Sequence, residues 1–379
     1  MTGRERIEAA FSPDGTRQIP AVICYEGIYT RDHWDQLTSC PWWYQFSPDV
    51  EQQLAWRRDV IAATQQDWFS LPACPGRAER ETTFIADGPE GVFRIDKRSG
   101  GRTELLRPVV SGWDPRGVSP HIRPERLPET LDQVDASIPP PGQFDAERFL
   151  AEGRADLAAA MLAEFGKDLF PLAHVSGPLW GCYSLWGFEG MMVLVAERPD
   201  LVRRACRRQL ALRITAMRQA AALGAAGVWI EECLTDMISP EAFEALNVPF
   251  LRELIDEIRT LGMKSIYYYC GDPASRWRHI LSLGMDALSL EEGKKGFDIG
   301  IQEVVDRVAG GCVVLGNLDA VGVLENGTDE QLRSEIGRQI AAGRNNGGRF
   351  IMSLGSPVTP ATPVERVGLY CRLARELGS

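Results

Sequence analysis

The chain has 379 residues, 44% of them apolar, and its 52 acidic against 41 basic side chains give a formal net charge of −11. That balance argues against nucleic acid as a main partner, because phosphate binding needs a concentrated basic surface, and the apolar content supports a core large enough for one barrel-sized domain or two smaller ones. Nine scattered cysteines with no paired framework, a charged first segment without a signal-type apolar core, and no run of about 18 apolar residues together predict a cytoplasmic protein with no membrane span.

In chain order, a first helix is predicted at about 4–10 and a strand at 18–24, where Gln18-Ile-Pro-Ala-Val-Ile-Cys24 alternates between breakers. Tyr25 and Glu26 follow directly and are candidate substrate contacts for a cationic or hydroxylated group, with helix capping or a surface ion pair as the plainer alternative. The aromatic group Trp42-Trp43-Tyr44 leads into a helix over 48–65. Three short alternating runs between 82 and 108 predict a small antiparallel meander, and the proline-rich stretch 117–143 reads as a linker or wrapped loop. Residues 70–143 are therefore expected to be an insertion or elaboration within a single domain spanning 1–379.

From 144 onward strand and helix alternate. Helices are predicted near 145–166, 189–224, 240–261, 273–283, 299–309, 328–345 and 363–377, with strands at 170–175, 227–231, 265–269, 286–290, 312–316 and 349–353. Short connections between such units imply an α/β fold with a parallel sheet, and their number favours closure into a barrel. Ser239-Pro240-Glu241 has the composition of a helix start, and Gly224, Gly262 and Gly284 sit where left-handed C-caps are expected.

Three strands end on chemistry-bearing residues. Gly227-Val-Trp-Ile-Glu-Glu-Cys233, Ser265-Ile-Tyr-Tyr-Tyr-Cys-Gly-Asp272 and Asp286-Ala-Leu-Ser-Leu-Glu-Glu292 deliver Glu231, Glu232, Cys233, Cys270, Asp272, Glu291 and Glu292 to one edge. In a parallel barrel that edge carries the active site. Glu231, Tyr268 and His174 are candidate acid–base residues, and Asp319, which ends a further strand, is a candidate substrate contact. The bland alternatives stay open: a buried aromatic for Tyr268, a backbone-bonded histidine for His174, a loop-fixing carboxylate for Asp319. His33, His121 and His279 are too dispersed for a local metal motif, and no phosphate-cradling loop is present.

Gly3-Arg-Glu-Arg-Ile-Glu-Ala-Ala-Phe11, His174-Val-Ser-Gly-Pro178, Ser239-Pro-Glu-Ala-Phe243, Tyr269-Cys-Gly-Asp272, Leu315-Gly-Asn-Leu-Asp319 and Pro360-Ala-Thr-Pro-Val-Glu-Arg366 together resemble the uroporphyrinogen decarboxylase superfamily. That superfamily includes decarboxylases and zinc- and corrinoid-linked methyltransferases. The resemblance implies a (β/α)8 TIM-type barrel with an N-terminal elaboration, often a homodimer. True uroporphyrinogen decarboxylases differ after the first strand, where Cys24-Tyr-Glu-Gly27 replaces an arginine-rich loop. The methyltransferase branch is closer around Cys270, yet Tyr268 and Ser356 stand at two of its three zinc-ligand positions. Cys233, Cys270 and Glu291 could form a replacement zinc site, since a catalytic zinc takes three protein ligands and leaves one position open; small buried cysteines and arginine-paired carboxylates are the alternative. The leading expectation is a methyltransferase-like enzyme acting on a small thiol or methyl-bearing metabolite, with zinc activating the thiol and a corrinoid carried by a partner protein. A metal-free lyase or decarboxylase of a small carboxylated metabolite is the first alternative, and a non-catalytic metabolite or corrinoid binding protein the second.

Overall fold

A computed structural model describes residues 1–111, 124, 126–293 and 296–379; His121 and part of the predicted linker lie outside them. The described strands are β1 (Trp68–Ser70), β2 (Thr83–Gly88), β3 (Gly91–Asp96), β4 (Arg102–Leu105), β5 (Phe170–Ser176), β6 (Gly227–Glu232), β7 (Lys264–Tyr269), β8 (Ala287–Leu290), β9 (Val313–Leu315) and β10 (Phe350–Ile351). Seven of them form one parallel sheet in the order β1-β5-β6-β7-β8-β9-β10, and β2-β3-β4 form the antiparallel meander that the sequence predicts. Strands β6 to β9 are buried almost throughout. This is the expected state of parallel strands covered on both faces, and it explains their near-continuous apolar sequences.

The parallel sheet is strongly curled. The Trp68 ring of β1 lies 5.8 Å from Trp229 of β6, and Trp229 stacks on Tyr268 of β7 at 5.2 Å. The Tyr268 hydroxyl then donates to the Gly355 carbonyl, beyond β10, at 2.9 Å. The first and last of these contacts join elements that are not neighbours in the sheet, so they cross its concave side, and the Trp229–Tyr268 stack between adjacent strands lies on the same side.

The predicted strand at 18–24 is reduced to an isolated bridge between Ala21 and Met352. On the β10 side the pairing is by backbone, Val22 N to Met352 O at 2.9 Å and Met352 N to Pro20 O at 2.8 Å. Toward β1, side chains replace much of the ladder: the Ala21 amide donates to Asp67 Oδ2 at 2.7 Å and the Ile23 amide to Gln66 Oε1 at 3.1 Å. Strand β1 itself was not expected, because Trp68-Phe-Ser70 is too short to show a period.

Several predicted helices are split. The region 189–224 consists of helices Pro178–Glu197 and Pro199–Leu223, and 240–261 of Pro240–Leu246 and Val248–Thr260; proline sits in the first turn of each, where its missing N–H costs nothing. Likewise 145–166 divides into Ala146–Ala151 and Asp156–Phe165, and 273–283 shrinks to Trp277–Leu281. The stretch read as linker contains a helix, Leu131–Ser137, started by a Thr130–Gln133 capping box. Ser239 caps its helix through the Ala242 amide, and Gly224 ends another in the left-handed region at φ 91°. Contrary to the sequence reading, one helix, Pro178–Glu197, is long and apolar enough to cross a membrane by length and composition. It is broken at Gly187 (φ 65°, ψ −177°) and buries Leu179, Cys182, Tyr183 and Trp186 in the core.

Candidate active site

Strand register decides which side chains meet. His174 pairs with Trp229 and Trp229 with Ile266; two residues further on, Ser176, Glu231, Tyr268 and Ser289 form the next row. Side chains in one row share a face, as do rows two residues apart. Because Trp229 and Tyr268 stack on the concave side, His174 and Glu231 face that side too, and Cys270 continues the alternation just past β7. Tyr267 and Tyr269 point the other way: Tyr267 donates to Glu232 Oε2 at 3.3 Å, and the Tyr269 ring packs on Phe243 at 6.1 Å.

His174 is exposed in the middle of an otherwise buried strand, which marks it as lining an internal space. Its Nε2 lies 3.2 Å from Ser70 Oγ, and the Ser70 hydroxyl donates to Glu26 Oε2 at 3.0 Å. Three residues from β5, the end of β1 and the start of helix Glu26–Asp32 thus form one hydrogen-bonded chain. Enclosure by the surrounding walls pushes the His174 imidazole down to about 4, so it is neutral near pH 7. Enclosure pushes the Glu26 carboxyl up, and the Ser70 hydrogen bond and the Arg57 charge each bring it part of the way back. On the neighbouring strand burial pushes the half-buried Glu231 carboxyl up to about 7.

A second chain runs through sulfur. Tyr25 approaches Cys233 Sγ at 3.9 Å, Cys270 acts on the Cys233 thiol from the next strand end, and the Cys270 thiol donates to Glu291 Oε2 at 3.1 Å. The neighbouring Cys270, followed by burial, holds the Cys233 thiol well above its usual range. Tyr25 packs edge-on against Tyr268 at 5.4 Å, so both chains border the same aromatic floor.

The expected zinc ligands do come together, but they do not fit an ion. Among the described residues no three His, Cys, Asp or Glu side chains are arranged to hold a metal. Cys270 spends its proton on a hydrogen bond to Glu291, which an ion taking both as ligands would have to displace. The positions that carry ligands in the methyltransferase branch are also engaged, Tyr268 with the Gly355 carbonyl and Ser356 with Glu292 Oε2 at 2.7 Å.

Other candidates lie elsewhere. Glu232 faces outward from the sheet, accepts from Asn247 Nδ2 at 2.6 Å, and is pushed up to about 7 by burial. Asp319 Oδ1 accepts the Val321 and Gly322 amides, each at 2.9 Å, and so starts a π-helical turn, Ala320–Glu325. His33 bridges the Tyr29 and Thr362 carbonyls, and His279 is buried beside Phe243. Ser70 and Arg57 were not anticipated. Ser70 ends the unexpected β1, and Arg57 is one of several charged residues on helix Val50–Thr64 with nothing local to distinguish it.

Comparison with known proteins identifies the family and the fold. The family model described as uroporphyrinogen decarboxylase (URO-D) matches residues 120–377. Uroporphyrinogen decarboxylase 2, chloroplastic, of Arabidopsis thaliana is 26% identical over 192 residues, covering 50% of this chain and 46% of the relative. Methylcobamide:CoM methyltransferase MtbA of Methanosarcina mazei is 23% identical over 128 residues, 34% of each chain. These alignments therefore span less than half of the curated relatives' own length. In solved structures, a methyltransferase from Methanosarcina mazei superposes with a TM-score of 0.68 over 99% of this chain and 98% of its own, at 17% identity, which establishes a shared fold.

Proposed function

Because the chain belongs to the uroporphyrinogen decarboxylase family, we propose that it is a methyltransferase-like enzyme of that family. It would act on a small metabolite at the carboxyl ends of the strands and use protein acid–base groups in place of zinc. The observation that carries this reading is the Glu26–Ser70–His174 chain opening on the concave face beside Glu231. The curl of the seven strands, with 20–24 bonded to both of its edges, supports an eight-segment barrel as the frame.

Methyl transfer from a heteroatom breaks a C–X bond and leaves an electron pair on X, and a thiol acceptor must lose its proton to attack. Both are proton events at a single atom, and they need a proton carrier within hydrogen-bond reach. His174 is positioned to exchange that proton. Ser70 passes the matching change to Glu26, whose carboxyl is poised by opposed influences, burial raising it and the Ser70 bond and Arg57 lowering it. Glu231 supplies a second carboxyl on the adjacent strand. The methyl donor or acceptor would be a small metabolite or a corrinoid carried by a partner protein, and a homodimer and a cytoplasmic setting belong to the same reading.

One second reading is a metal-free lyase or decarboxylase of a small carboxylated metabolite working with the same groups, since among the described residues no three His, Cys, Asp or Glu side chains are arranged to hold a metal. Turnover of deuteromethyl-labelled methyl donors, followed by mass spectrometry, separates the two. Label transfer that is retained in Cys270→Ala and falls by about 10²–10⁴-fold in Glu231→Gln is the expected result. Carbon dioxide release without label transfer would select the lyase, and loss of activity in Cys270→Ala together with stoichiometric zinc would overturn the metal-free site.

A further inference from the structure

A cavity of about 300 Å³ lies between helix Glu26–Asp32, helix Val50–Thr64 and the end of β1. Glu26 and Ser70 line it, so it shares a wall with the proton chain. Apolar surface comes from Trp56, Val60 and Phe69, and two arginines, Arg31 and Arg57, complete the lining. Arg31 is neutralised by Asp32, which takes its Nε at 2.7 Å and its Nη2 at 3.1 Å. Arg57 is different: its Nη1 is held by the carbonyl and side-chain oxygens of Gln53, its plane lies 4.0 Å over the Trp56 ring, and no described carboxylate forms an ion pair with it.

From this geometry we propose that the cavity is the subsite for the carboxylate of a small monocarboxylic substrate with an apolar body, and that Arg57 is its anchor. The inference rests on reading the neighbouring strand ends as the active site. A guanidinium presents paired N–H donors in a planar fork that matches a carboxylate, and an enclosed cation that feels Glu26 only across the cavity, with no carboxylate in ion-pair contact, has donors left for such a ligand. Glu26 on the facing wall sets the charge limit: with one cation opposite one carboxyl, a monoanion is favoured over a phosphate or a dicarboxylate. Ser70, which lines the cavity and lies 3.2 Å from His174 Nε2, would then connect the bound substrate to the proton chain.

The test is calorimetric titration of the full-length protein with benzoate, propionate, neutral benzamide and inorganic phosphate. Wild type should bind benzoate or propionate in preference to benzamide and phosphate. Arg57→Gln should weaken carboxylate binding at least about tenfold while leaving any benzamide binding unchanged. Glu26→Gln, which removes the opposing charge, should tighten it several-fold, so the proposal stays testable if Arg57→Gln does not fold. Equal benzoate affinity in wild type and Arg57→Gln, weaker binding in Glu26→Gln, or wild type taking phosphate but neither carboxylate would overturn the anchor. The two readings fail separately. An incorrect anchor shows in the titrations while turnover remains dependent on His174, whereas an incorrect catalytic reading leaves the titrations as expected and makes turnover indifferent to His174.

Discussion

Ser70→Ala tests the proton chain most directly, because it removes one oxygen that serves two bonds, 3.0 Å to Glu26 and 3.2 Å to His174. A hydrogen bond to a charged group contributes about 1.5–3 kcal/mol and a neutral one about half that. Since the site borders a cavity where water can enter, a loss of about 1–2 kcal/mol at neutral pH is expected. Its pH dependence is the sharper signature. Burial raises the Glu26 carboxyl and the Ser70 bond lowers it, so the variant's carboxyl must rise further. A carboxyl raised above its unfolded value contributes stability that is fully present below the unfolded pKa, near 4.3, and is lost as pH climbs through the folded value. The deficit of Ser70→Ala should therefore be smallest at and below the unfolded carboxyl range and grow as pH rises above it. Urea midpoints from that range upward measure the deficit, and turnover at each pH should be down by about 10²–10⁴-fold. A deficit that is flat or shrinks with rising pH, or unchanged turnover, would refute the coupling of Ser70 to Glu26.

His174→Gln should lose a similar factor in turnover, about 10²–10⁴-fold, while its melting temperature stays close to wild type, because the exposed imidazole holds no core contact that glutamine cannot replace. Dialysis against a strong chelator should leave both melting temperature and activity where they were; a fall in either that added zinc restores would count against the metal-free site. Asp67→Ala removes the acceptor for the Ala21 amide and the partner of Arg6 at 2.6 Å and Arg375 at 3.5 Å. A loss of about 3–5 kcal/mol with an unchanged urea m-value is expected, and a loss below about 1 kcal/mol would show that 20–24 is not held to the sheet through this carboxylate.

How far the sequence could be read depended on whether a feature repeats. Strands β5 to β9 and the meander announce themselves through apolar runs or alternation, and alternation alone puts Glu231 with Trp229 and Tyr268 with Cys270. The segment 18–24 looks like another strand by the same criterion, but its amides go to Asp67 and Gln66 side chains, and a side-chain acceptor 46 residues away leaves no trace in a local pattern. Periodicity also runs unbroken across Pro199 and Pro249, because a proline in the first turn of a new helix does not disturb the apolar stripe of the old one. Ser70 and Arg57 lay beyond reach for a related reason: one ends a three-residue strand and the other sits among ordinary helix charges, so only the tertiary approach of Glu26 gives either a role.

Access separates the two hydrogen-bonded chains. Cys233, Cys270, Glu291 and Tyr268 are between 1% and 4% exposed, whereas His174 is exposed and Glu26, Ser70 and Glu231 are half-buried. A substrate entering the concave side therefore meets the proton chain first, and the thiols stay behind the aromatic floor, Cys233 against Tyr25 and Cys270 bonded to Glu291. An alkylating reagent can report this order, because it reacts with the thiolate and must reach the sulfur. Cys40 is the one cysteine of the nine that is not buried, so brief treatment of the native protein with iodoacetamide should modify Cys40 and spare Cys233 and Cys270. In urea all nine should react. Rapid native labelling of Cys270, located by peptide mass spectrometry, would mean that its proton is shared with Glu291 loosely enough to expose a nucleophile. Chemistry would then have to be moved from the histidine side of the mouth to the sulfur side.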